Sequence, residues 1–426
     1  MRRKSWILVA AAFIVCAVSF TAVSAAPDKS KKEAADTKDN LYTQVELFSD
    51  AVSIIRSDYV SPMDSKKLIY GALRGMLASL DDFSSFMDPE EYKEIKSETK
   101  GEFGGLGIEI STRDGIITVI APMASTPAEA AGIKAGDKIV KIDNKVTRDM
   151  TLSEAVRMMR GEPGTQVTLT IWREKGEKIL DFVIKRDIIK VSSIKNASFL
   201  EGKIGYIKIA EFQENTPSEL DAALKKLESG GMDSLVIDLR NNPGGLLEVS
   251  VDVAERFLPK DSVIVSIKSR TPAQNAVFRS SGKHYSSNYP LAVLVNEGSA
   301  SASEIVSGAI QDNRRGIIIG TKTFGKASVQ TVIPLKDGSA LRLTTALYYT
   351  PSGKMIRNEG IIPDVVVENG NGKKKPDNKD IFEDLDKKKA EPQAKAKEGT
   401  DRDIQVDTAI NMIKTIKFSR MAEKKT

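Results

Sequence analysis

Residues 291–305 read Leu291-Ala292-Val293-Leu294-Val295-Asn296-Glu297-Gly298-Ser299-Ala300-Ser301-Ala302-Ser303-Glu304-Ile305. Five apolar residues in a row predict a strand buried on both faces, the kind found inside a parallel sheet. Small residues follow, then a helical pattern. Ser301 stands at the expected helix start. Backbone N–H groups are unpaired there and the helix dipole is positive, so an alkoxide or oxyanion is stabilised at that spot. A purely structural role fits the same residues, because Ser301-x-x-Glu304 has the form of a capping box. The pattern recurs nearby. Stretches 204–209, 234–239, 263–267 and 317–319 read as buried strands, and 218–228, 246–257 and 303–311 as helices between them. Such alternation predicts an α/β core over residues 187–369.

Two more segments of this core carry candidate chemistry. The strand at 317–320 leads into Thr321-Lys322-Thr323-Phe324-Gly325-Lys326-Ala327-Ser328-Val329-Gln330. In a parallel layered fold, successive strand-to-helix loops lie at one sheet edge, which places Ser301 and Lys326 within reach of each other. The chain has a single His, His284, and a single Cys, Cys16. With no His at hand a Lys must serve as the base for Ser301, and Lys326 is the candidate, although a surface loop lysine fits the same residue. It can act only when neutral, so its pKa must fall from ~10.4 towards ~7, a shift that burial against apolar walls can supply. Gln330 is placed to orient the amine. The strand at 234–239 ends in Arg240-Asn241-Asn242-Pro243-Gly244-Gly245. A glycine pair before a helix either makes a tight turn or exposes N–H groups, as an oxyanion hole requires.

The composition narrows the function. The 426 residues are 41% hydrophobic and 28% charged, which supports two or three packed domains. A net charge of +5 without a concentrated basic stripe speaks against a nucleic-acid binder. One His and one Cys exclude a clustered His/Cys metal site, although carboxylate-bound calcium or magnesium stays open. Gly320-x-x-x-x-Gly325-Lys326 nearly spells a phosphate-binding loop, but Ala327 replaces the hydroxyl that holds magnesium.

Outside the core, Arg2, Arg3 and Lys4 precede an apolar run and the small residues Val23-Ser24-Ala25. This has the form of a secretory signal over residues 1–25. The run is also close to the length of a membrane anchor, so an uncleaved anchor is the alternative. Residues 26–100 form an N-terminal region, with a polar spacer at 26–40. Helical spacing follows at Leu41, Val45, Phe48, Val52 and Ile55 and again at Leu68, Ala72 and Leu80. Asp88 before Pro89-Glu90-Glu91 predicts a capped helix start. Residues 101–186 alternate strand patterns with turns and form a small β-rich domain. Residues 370–403 are dominated by charge and predict a solvated linker, and 404–426 return to helical spacing.

The three core segments together resemble the carboxyl-terminal processing peptidases, tail-specific serine proteases with a Ser–Lys dyad. The resemblance runs from Gly101 to Glu368, and Tyr349-Thr350-Pro351-Ser352-Gly353 also belongs to it. It implies Ser301 as nucleophile, Lys326 as base and Gln330 as third member. The oxyanion donors are then Gly244 or Gly245, with Ala302. The segment Phe103-Gly104-Gly105-Leu106-Gly107-Ile108, with the run from Ser125 to Asp137, resembles a PDZ domain. A substrate site at Gly104, Gly105, Leu106, Gly107 and Ile108 follows, where backbone N–H groups hold a terminal carboxylate and the peptide adds as a strand. Arg160 is expected to link ligand occupancy to the core.

The fold implied is a Clp protease/crotonase-like α/β core with an inserted PDZ domain and flanking N- and C-terminal helices. The function implied is a serine endopeptidase that captures protein C-termini and cleaves near them, with no cofactor. The expected partners are protein or peptide substrates with free C-termini, no nucleic acid, and a second copy of the chain. The expected location is exported, periplasmic or in the cell envelope. A PDZ adaptor on an inactive protease core is the alternative, and a crotonase-like acyl-CoA enzyme fits the core fold alone.

Overall fold

The computed structural model describes residues 29–113, 115–173, 178–283, 289–368 and 403–423. The secretory segment, Cys16, His284 and nearly all of the charged linker lie outside the described residues. The chain divides into two compact units, residues 1–72 and 73–426.

The first unit is helical. Its long helix, Lys29–Asp58, starts within the stretch expected to be a spacer. The polar composition at 29–40 misleads because Lys, Glu and Ala are good helix formers even without an apolar face. A second helix, Ser65–Ala78, follows.

In the second unit, helical spacing is interrupted by a short strand, Ser85–Met87. The carboxylate of Asp81 accepts the N–H groups of Phe83 and Ser84, which turns the chain out of helix and into a strand. The Asp88 carboxylate then caps the helix Pro89–Lys100, with Glu91 returning a bond to the Asp88 N–H. Gly101, in the left-handed region at φ 71°, ends that helix.

The core sheet has six strands in the order Ile194–Phe199, Ile204–Ile209, Ser234–Asp238, Leu291–Val295, Ile317–Gly320 and Val365–Val366. Only the first pairing is antiparallel. Alternate residues of each strand face opposite ways. Ile207, Leu235, Ile237, Val293 and Val295 pack with the helices Thr216–Ser229, Leu247–Glu255 and Ala302–Asp312. On the other face, Tyr206, Val236, Ala292, Leu294 and Ile319 meet Ala409, Ile410 and Ile413 of the helix Ile404–Glu423. Burial on both faces explains why Leu291–Val295 reads as a continuous apolar run.

A second sheet is antiparallel and runs Ser85–Met87, Ala340–Tyr349, Val263–Ser269, Ala276–Arg279, with Ser328–Pro334 also paired to Ala340–Tyr349. Val263–Ser269 therefore belongs here and not with the parallel strands, as its apolar run had suggested. A buried run looks the same in either sheet, and only its pairing with Ala346–Tyr349 decides. The strand Ile317–Gly320 likewise leads to the strand Ser328–Pro334, so Lys326 stands on a loop between two sheets and not at a helix start.

The inserted domain has a sheet of its own with Ile108–Arg113, Ile116–Pro122, Lys138–Ile142, Gln166–Arg173 and Lys178–Lys185. Its core of Ile117, Val119, Ile139, Leu169 and Ile171 is closed by Ala155 and Met159 of the helix Leu152–Met159. Thr151 caps this helix in a reciprocal box with Glu154. A two-stranded ribbon, Glu102–Gly105 with Asp187–Lys190, ties the entry and exit of the domain together.

Candidate active site

Three loops at the ends of core strands meet in one place. Asn242 and Asn296 weld two of them. Asn242 is fully buried; its amide donates to the Ile209 carbonyl, and its carbonyl oxygen accepts the Ala300 N–H at 3.0 Å. The Asn296 side chain accepts the Asn241 N–H and donates to the Asn241 side chain. Ser299 Oγ donates to the Leu239 carbonyl at 2.8 Å. Asn242, Asn296 and Ser299 are buried, so their polar groups need these partners, and the loops are held rigidly as a result.

Ser301 sits at the end of this weld, before the helix Ala302–Asp312, with φ 54° and ψ −113°. A side-chain-bearing residue at positive φ is costly and is kept only where its surroundings hold it. Gly244 lies against it: a Cβ at Gly244 would come 2.7 Å from the Ser301 Cβ, at a φ of 110° that itself favours glycine. The two glycines differ in their N–H groups. That of Gly244 donates to Asn242 Oδ1 at 2.9 Å. Those of Gly245 and Ala302 have no acceptor among the described residues.

Glu304 joins the serine loop to the lysine loop. It is fully buried, and its Oε2 accepts the N–H groups of both Ser301 and Lys326, each at 2.9 Å. Its Oε1 accepts the Gly325 N–H and the Thr323 hydroxyl, while Thr323 Oγ1 accepts the Ile361 N–H. Thr323 must therefore give its proton to Glu304. Four donors converge on one carboxyl group, which requires the ionised form. Burial pushes the Glu304 pKa up and the four hydrogen bonds oppose that push. Ser301-x-x-Glu304 is a capping pattern in sequence, and its Glu304 half binds the lysine loop as well.

Lys326 is half-buried. Burial lowers its pKa, the Arg342 charge lowers it further, and the Glu304 charge works the other way. Its amine lies 4.8 Å from the centre of the Phe83 ring. Gln330 Nε2 donates to the Phe83 carbonyl at 3.0 Å and not to Lys326. No hydrogen bond joins Lys326 Nζ to Ser301 Oγ among the described residues. Phe83 has no signal in the sequence, since it reaches the site only through the sheet pairing of its neighbours. The buried Tyr348 also reaches the site, with its hydroxyl facing Ser301 and Glu304.

A separate groove of about 250 Å³ lies in the inserted domain, lined by Gly105, Leu106, Gly107, Ile108, Val156 and Arg160 among others. The carbonyls of Leu106 and Gly107 are turned inward and accept the N–H groups of Ala128 and Met123. The N–H groups of Leu106 and Gly107 have no acceptor among the described residues. The Arg160 guanidinium lies 4.7 Å from the Phe103 ring centre. Gly104 stands apart: its carbonyl accepts the Gly161 N–H, and a Cβ there would come 2.2 Å from the Gly161 carbonyl oxygen.

Among the described residues no group of His, Cys, Asp and Glu could hold a metal ion, and no helix is long and apolar enough to cross a membrane.

A serine at a strained strand-to-helix turn, set in a layered α/β core with an inserted β-rich domain, fits a peptidase. Residues 203–367 match peptidase family S41, residues 118–173 match a PDZ domain, and residues 7–91 match the N-terminal domain of the activating protease CtpB. The chain is 49% identical over 339 residues to a carboxy-terminal-processing protease of Bartonella bacilliformis, covering 78% of this chain and 77% of that one. It is 37% identical to a carboxyl-terminal-processing protease of Synechocystis, covering 74% and 75%. The solved photosystem II D1 C-terminal processing protease is 32% identical, covering 75% of this chain and 86% of that one, with a TM-score of 0.45. The chain belongs to the carboxy-terminal-processing proteases of peptidase family S41.

Proposed function

We propose that the protein holds the free C-terminus of a protein substrate in the groove of its PDZ domain and cleaves nearby with Ser301 as nucleophile. The observation that carries this is the shared Glu304 carboxylate, which anchors the backbones of Ser301 and Lys326 to one oxygen. Ser301 Oγ attacks the scissile carbonyl. Neutral Lys326 takes the proton and returns one to the departing amine. Gly245 and Ala302 are the oxyanion donors, because their N–H groups are unused. Gly244 serves as the space that lets substrate approach Ser301. The N–H groups of Leu106 and Gly107 receive the terminal carboxylate, with Arg160 beside them. Lys326 and Gln330 are both turned to Phe83, so the reading requires that they leave it when substrate is bound.

The protein acts outside the cytoplasm as a pair. The apolar residues Leu41, Val45, Phe48 and Ile55 of the first helix are all exposed in one copy, and a second copy would cover them. Light scattering that gives a monomer at micromolar concentration counts against this.

The main test is digestion of an unfolded protein with an apolar tail, followed by mass spectrometry of the fragments. Ser301→Ala and Lys326→Ala should abolish cleavage while both variants stay folded. A tail ending in an amide should be cut far more slowly than the free acid. Full activity in either variant removes the proposed chemistry, and equal cleavage of acid and amide removes the proposed recognition.

A further inference from the structure

Building on the reading of Ser301 and Lys326 given above, we propose that the Tyr348 hydroxyl donates a hydrogen bond to Ser301 Oγ. The serine's own proton is thereby turned towards the Lys326 amine.

Tyr348 lies on the strand Ala340–Tyr349, with its N–H on the carbonyl of Ala327, one residue from the proposed base. The side chain is 1% exposed. Its hydroxyl has no hydrogen bond of ordinary geometry among the described residues, although it faces the Ser301 side chain and the Glu304 carboxylate. Buried hydroxyls are rarely left unpaired, so this one needs a partner. Glu304 has no place for it. The carboxylate has about four acceptor positions, and Thr323, Gly325, Ser301 and Lys326 supply four donors. Ser301 Oγ is the acceptor that remains, and the hydroxyl faces it. The proposed bond requires the Ser301 side chain to turn towards this hydroxyl.

The direction of this bond follows from the chemistry. A tyrosine that donates leaves the serine proton free to point at Lys326. A serine that donates to the tyrosine aims its proton away from the base. Burial raises the Tyr348 pKa well above its ordinary value, so the phenol keeps its proton and stays a donor. In the attack the Oγ–C bond forms, the Oγ proton passes to the neutral Lys326 amine, and the carbonyl electron pair moves to its oxygen. Collapse breaks the C–N bond, and the Lys326 ammonium returns the proton to the leaving amine. Tyr348 O–H stays intact throughout. Its bond to Oγ is strongest while negative charge builds on that oxygen, so it acts on kcat and not on binding.

Tyr348→Phe tests this, since it removes one oxygen and keeps the ring. The expected result is a kcat lowered about tenfold, ~1.4 kcal/mol, with KM unchanged. The rate at which a fluorophosphonate labels Ser301 should fall by the same factor. The melting temperature should change little, because the ring that fills the buried site is kept. Incorporation of 3-fluorotyrosine at 348 keeps the hydroxyl and serves as the second variant. Its labelling rate should be no lower than that of the unmodified protein. Wild-type kcat and labelling in Tyr348→Phe overturn the proposal, as does a 3-fluorotyrosine rate as low as that of Tyr348→Phe. Ser301→Ala separates the two readings. If it cleaves normally, the catalytic reading itself has failed. If it is inactive while Tyr348→Phe is unimpaired, only the tyrosine is wrong.

Discussion

A lysine serves as a base only in a site that makes its charge expensive. Lys326 meets that condition through burial and through the nearby positive charge of Arg342, both of which lower its pKa below the ordinary lysine value. In the proposed mechanism the neutral form is the active one. Cleavage should therefore rise with pH as Lys326 loses its proton, with a midpoint below ~10.4. Arg342→Gln removes one of the two depressing effects, so the rising limb should move to higher pH while Ser301 labelling at high pH is kept. Lys326→Arg keeps the charge at every usable pH and should be inactive throughout. A pH–rate profile for the three proteins checks both outcomes. Gly244 is constrained by space. Gly244→Ala puts a methyl 2.7 Å from the Ser301 Cβ at a φ of 110°, so activity should fall at least ~100-fold, on the scale of a lost oxyanion contact. Loss of less than twofold, measured as kcat/KM, would show that the loop yields.

Single elements set how well the two sites are presented. The helix Leu152–Met159 forms one wall of the groove in the inserted domain, and Thr151 caps it. Thr151→Ala leaves an orphan N–H at the helix start and should cost about 1 kcal/mol of stability. It should also weaken binding of a free-acid peptide, because Leu152 and Val156 lie in the first turns. Calorimetry against such a peptide reads the effect, and unchanged affinity would mean that the groove wall is held by its packing alone. The strand Leu291–Val295 and the helix Ala302–Asp312 show how much of an element is written in its residues. The apolar run, the small residues and Ser301 are local signals. Glu304 looks local too, but its partners at Thr323, Gly325 and Lys326 come from a loop about twenty residues away.

Across the whole molecule, the C-terminal segment is bound to the strand that leads to the glycine pair. The Arg240 guanidinium donates to Asp238, Asp403 and Gln405, and the Tyr206 hydroxyl donates to the buried Asp238. Burial works against the Arg240 charge, but the two carboxylates outweigh it and raise the pKa. Arg240→Ala leaves Asp238 buried without its cation. Losing one partner of a buried pair costs ~3–5 kcal/mol, so the melting temperature should fall sharply and activity with it. Asp403→Ala removes a half-exposed partner and should cost far less. Equal losses in the two variants, measured by thermal denaturation, would show that the inner pair carries no special weight.

The residues alone determined the alternating strands and helices of the core, the inserted β-rich domain and the capped helix start at Asp88, and they singled out Ser301, Lys326 and the glycine pair as candidates. Those signals are local or periodic, and chain chemistry writes them directly. The antiparallel sheet, the placement of Val263–Ser269 in it, and the helix that begins at Lys29 needed the structure, because apolar runs do not name their partners and polar helix formers resemble a spacer. The same holds for Glu304, Asn242, Phe83 and Tyr348. Each acts through groups distant in sequence, and only the folded chain brings a carboxylate, an amide, a ring or a hydroxyl against the loops they serve.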